Sequence, residues 1–167
     1  MPEDYIMRLI QQVAAMLAAI IAKRGDGKPA EARQDLDSTC LQTIGLPLAT
    51  LKRYSPEALA RQLEQSGANR YGRSIMLAEL FIQDAELLSE NGSDAQGALG
   101  SWLHAFCLVF DSFPLLSADE QAVYRPKLEI LAAKLEHLPP NPFVTDKLRA
   151  WRLSTAVHHE SIHRDVF

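Results

Sequence analysis

The run His159-Glu160-Ser161-Ile162-His163 sets two imidazoles one helical turn apart, with a carboxylate beside the first. On a helix, that spacing lets both rings hold Zn²⁺ while the glutamate takes a proton from a bound water, as in a zinc-dependent hydrolase. A working site also needs a third protein ligand and an open position for water. Downstream, only Arg164, Asp165, Val166 and Phe167 remain, and Asp165 is too near in sequence to close the shell. The helical wheel offers a plainer reading. Leu148, Trp151, Thr155, His158, Ile162 and Val166 form an apolar stripe, with His159 and His163 on its polar shoulder and Glu160 free to pair with Arg164. Hydrolysis is therefore the alternative function, and no cofactor is expected beyond adventitious Zn or Ni at His159 and His163.

Asp84 is the second candidate. It stands in the middle of the stripe formed by Leu77, Leu80, Phe81, Leu87 and Leu88. A carboxylate there must find a partner or carry a raised pKa. The favoured partner is His104 or a helix N-terminus; the functional alternative is a polar anchor in a binding groove. His104 lies on a crowded helix with no acid–nucleophile pairing in evidence for catalysis, and reads as packing. Asp84, Trp102 and His104 are the candidate binding residues. Lys147, Arg149 and Arg152 flank Trp151, but Asp146 beside them leaves a small charge excess, which suits a solvated helix face. No Gly-rich phosphate loop, nucleophile elbow or paired-Cys site is present.

The elements that must position these residues all have helical periodicity. A first helix runs from about Glu3 to Lys23, with Val13, Leu17, Ile20 and Ile21 on its apolar side. A second follows from Pro29, with Ala32, Leu36, Cys40 and Ile44 one turn apart, and ends at Gly45. After a short Leu-rich piece, Ser55-Pro56-Glu57 opens a helix that closes at Gly67. The next spans about Arg73 to Glu90. Ser93-x-x-Gln96 is a capping box for a helix to about Phe113 that is apolar nearly all round, and so central. Ser117-x-x-Glu120 is a second capping box, for a helix carrying Val123, Leu128, Leu131, Leu135 and Leu138. Residues 139–144 are a Pro-rich break, and Thr145 caps a last helix through 145–167. The expected fold is all-α, about six to seven helices in antiparallel pairs, with residues 1–138 as one domain.

Charge and composition narrow the function. Seventeen basic against 21 acidic side chains give a net charge of −4, which argues against a nucleic-acid footprint. The apolar run Val13–Ala22 is too short to span a bilayer, and its acidic start is unlike a secretory signal. With two unpaired cysteines, Cys40 and Cys107, these features point to the cytoplasm.

Ala98, Trp102 and Ala105 follow the small–large–small spacing of tetratricopeptide-type repeats. The opening Asp4-Tyr5-Ile6-Met7-Arg8-Leu9-Ile10-Gln11-Gln12, taken with Leu77-Ala78-Glu79-Leu80, resembles a family of small bacterial all-helical proteins of unknown function with a tetratricopeptide-like C-terminal half. The resemblance covers roughly residues 4–138, with the repeat-like pair at about 73–138. It implies a right-handed helical array and a protein or peptide partner, and assigns no catalytic residue. The leading expectation is a non-catalytic interaction or scaffold module. A weaker alternative is a homodimeric structural protein with the first helix as its seam.

Overall fold

Ala- and Leu-rich stretches punctuated by Gly and Pro fold, among the described residues, into eight α-helices and no strand, with a short 3-10 turn at Phe113–Leu115. The computed structural model describes residues 2–65, 67, 70–90, 92, 94–139 and 141–164, except the side chains of 2–7, 9, 10, 70 and 158–164. The helices are α1 (Pro2–Gly25), α2 (Pro29–Ile44), α3 (Leu48–Leu51), α4 (Pro56–Glu64), α5 (Arg70–Glu90), α6 (Ala95–Ser112), α7 (Ala118–Lys134) and α8 (Pro142–Arg164). Ala32, Leu36, Cys40 and Ile44 are the buried row of α2, as their spacing predicts. This helix stops at Gly45, whose φ of 86° is a backbone shape that side chains rarely allow.

Several helix ends differ from expectation. α4 stops at Glu64 instead of Gly67, and α5 starts at Arg70 instead of Arg73. α6 is capped by Asp94, whose carboxylate accepts the Gly97 N–H at 2.8 Å, in place of the expected Ser93, which lies outside the described residues. α8 begins at Pro142 after Asn141, whose side-chain oxygen accepts the Phe143 N–H at 3.1 Å, so Thr145 lies inside the first turn instead of capping it. Proline has no N–H to satisfy and fits a first turn, which moves the start forward. The Ser117–Glu120 capping box is present in both directions. α7 ends at Lys134, leaving Leu138 beyond it, and Val123 is exposed instead of core-facing.

α5 and α6 form the central antiparallel pair. The Phe81 and His104 rings stack with centroids 4.8 Å apart, while Asp84 and Ser101 bond three residues on along α5 and three back along α6. Ala98, Ser101 and Ala105 are buried small residues that let this close approach occur. α1 packs on α2 and α5, α2 also on α5, and α7 and α8 on α6. Val144, Leu148 and Trp151 of α8 join the same core. Among the described residues, only Ala95–Leu115 has the length and apolarity of a membrane span, and α6 within it packs against α4, α5, α7 and α8.

Candidate functional site

Asp84 is fully buried, and both oxygens of its carboxylate meet donors. Arg33 of α2 donates to one oxygen; Lys52, 2.8 Å away, and the Ser101 hydroxyl share the other. Burial alone would raise the carboxyl pKa. The hydrogen bonds from Lys52, Ser101 and Arg33 outweigh it and hold the group below the usual carboxylate range. Asp84 is therefore ionised and fully engaged. It joins α2, the end of α3, α5 and α6, with both of its oxygens already engaged by the fold.

His104 does not bond Asp84, contrary to expectation, because Ser101, one turn earlier on α6, takes that place. Its ring lies against Phe81. Burial and the nearby Lys52 charge lower its pKa to about 4, against hydrogen bonding to the Lys52 and Tyr54 backbone, so the ring is neutral at ordinary pH. Nδ1 is buried and has no hydrogen-bond partner among the described residues. A neutral ring filling a core position is what these surroundings support.

A different region faces outward. α1 and α7 flank a groove of about 470 Å³ whose floor comes from α5 and Trp102 of α6. The α5 residues in it, Glu79, Ile82, Gln83 and Glu86, cluster on the side of that helix away from Asp84. Ile21, Val123 and Ile130 line its edges and are 45%, 55% and 58% exposed. Leu17, Trp102 and Leu131 form its buried lining. Glu79 pairs with Lys127, while the Glu86 carboxylate has no ion-pair partner among the described residues. Lys134 lies over the Trp102 ring at 4.4 Å from its centroid.

The three candidate binding residues are thus not brought together. Trp102 belongs to the groove; Asp84 and His104 belong to the core. Sequence reasoning missed Ile21, Val123 and Ile130, assigning the first two to core stripes. Lys147 is not a free surface cation either: it pairs with Asp111 and lies over the Phe143 ring at 4.4 Å. Cys40 and Cys107 are buried, and burial pushes both thiols up to about 12, far from thiolate chemistry. The side chains of His159, Glu160 and His163 lie outside the described residues. Among the described residues, no group of three or more His, Cys, Asp or Glu is placed to hold a metal ion. No protein-family model, curated protein or solved structure matches the chain.

Proposed function

We propose that the protein is a non-catalytic, cytoplasmic interaction module of tetratricopeptide-like type that binds an amphipathic helix of a protein partner in the α1–α7 groove. The observation that carries this reading is the groove itself: three half-exposed branched side chains standing over a buried apolar floor. Contiguous exposed apolar surface of this kind marks interaction sites. A helix suits it better than an extended strand, because α1 and α7 leave no sheet edge to extend and present helical ridges on both sides. Completing the burial of Ile21, Val123 and Ile130 is worth on the order of 3 kcal/mol before the costs of association, enough to matter and small enough for a reversible contact.

Fluorescence anisotropy with synthetic amphipathic helices bearing Leu at every third and fourth position tests this. Binding to the native chain is expected to weaken by about tenfold or more in Ile130→Asp, roughly 1.4 kcal/mol. Equal binding to the native chain and the variant would overturn the reading.

A further inference from the structure

The exposed apolar surface of the molecule includes a second feature, on α8. This helix is anchored by its first three turns, where Val144, Leu148 and Trp151 are buried. Beyond Trp151, Arg152, Leu153, Ser154, Ala156 and Val157 are all exposed, Leu153 and Val157 at 63% and 65%. These two stand one turn apart on one face, with Arg149 one turn before Leu153 on the same side. A helix held at one end, with an apolar ridge and a basic flank, is the kind of object the groove accommodates.

The charges also correspond. Arg149 and Arg152 make only long ion pairs, 3.5 Å to Asp146 and 3.7 Å to Glu136, and the side chains of both arginines remain more than half exposed. The groove offers Glu86, whose carboxylate is unpaired among the described residues, and the half-buried Glu79–Lys127 pair. A cationic helix entering the groove would bring an arginine to an acid that the fold leaves unmatched.

We infer that the groove is filled by the outer half of α8 from a second copy of this chain, Leu153 and Val157 seating between Ile21, Val123 and Ile130. The inference rests on the helix-binding reading of the groove and names its occupant. Exchange in both directions places two copies of each contact across a two-fold axis and closes the assembly as a dimer, leaving neither groove nor arm exposed.

Light scattering on the full chain tests the assignment. The native chain is expected to give twice the 18.6 kDa chain mass. Leu153→Asp and Ile130→Asp change exposed positions. Each is expected to give a single-chain mass with an unchanged circular-dichroism spectrum. Full-length Ile130→Cys mixed with full-length Leu153→Cys under mild oxidation is expected to form a cross-linked pair that neither variant forms alone. A native chain of single-chain mass at its highest soluble concentration, or dimers that survive both Asp substitutions, would overturn the inference. If the chain is monomeric yet still binds helical peptides in an Ile130-dependent way, the second-copy assignment falls and the helix-binding role stands. Loss of both ends both.

Discussion

Two faces of α5 follow opposite rules. On one, the Asp84 carboxylate is buried and every oxygen is satisfied, by Arg33, Lys52 and Ser101. On the other, Ile82 underlies a groove whose apolar edges stay half in water. A charge inside the protein must be matched by the fold itself, since leaving it unmatched costs more than the pairing gains. Apolar groups outside carry no such obligation, and the surface they leave can be completed by a partner. The same helix thus carries the buried charge network on one side and underlies a half-exposed apolar groove on the other.

The comparison can be broken most severely at Asp84. Replacing it with Ala leaves Arg33 and Lys52 facing each other without their anion; both are about one-third exposed, so water softens the penalty. Urea unfolding should show a loss of about 2–4 kcal/mol, with peptide binding per folded molecule unchanged. His104 supplies a middling effect, and its sign can be worked out. Its folded pKa, about 4, lies below the usual 6.5, so the unfolded chain takes up the proton first as pH falls. The stability it contributes is complete above pH 6.5 and declines as pH falls toward 4. The depressed Asp84 carboxyl acts in the same direction but only below about pH 3.9, so the two are separable. Urea melts at pH 7 and pH 5 should differ by about 2 kcal/mol through His104, and His104→Phe, which keeps the stack on Phe81, should remove that difference. The smallest effect on the fold belongs to the groove: Ile130→Asp should shift unfolding stability by no more than about 0.5 kcal/mol while weakening peptide binding by about tenfold or more. A large destabilisation there would collapse the distinction between the two faces.

Much of the core could be read from spacing alone, because α2 and α5 keep a strict helical period: Ala32, Leu36, Cys40 and Ile44 in one, Leu77, Leu80 and Phe81 in the other. Asp84 stood out as a buried carboxylate for the same reason. Its partners did not, since Arg33 lies 51 positions away and periodicity carries no information about which distant helix will arrive. Where caps compete, local chemistry is ambiguous: Ser93 and Asp94 can both cap α6, and the helix starts after the one whose oxygen reaches Gly97. Asn141-Pro142 held a start signal that Thr145 obscured. The groove was the least legible part. Val123 and Ile130 are apolar residues in a helix with its own buried row, and the side left bare depends on how far apart α1 and α7 sit.

The bonds that meet at Asp84 also close loops of very different length. Ser101 is 17 residues from it along the chain and Arg33 is 51, a difference that costs the longer closure about 1 kcal/mol more in chain entropy. The α5–α6 hairpin is therefore the cheaper piece to assemble, and it presents a carboxylate held by a single hydroxyl. That carboxylate becomes tolerable inside the protein only when α2 and the end of α3 bring their cations. The cations of Arg33 and Lys52 are thus what tie α2 and the end of α3 to the α5–α6 pair.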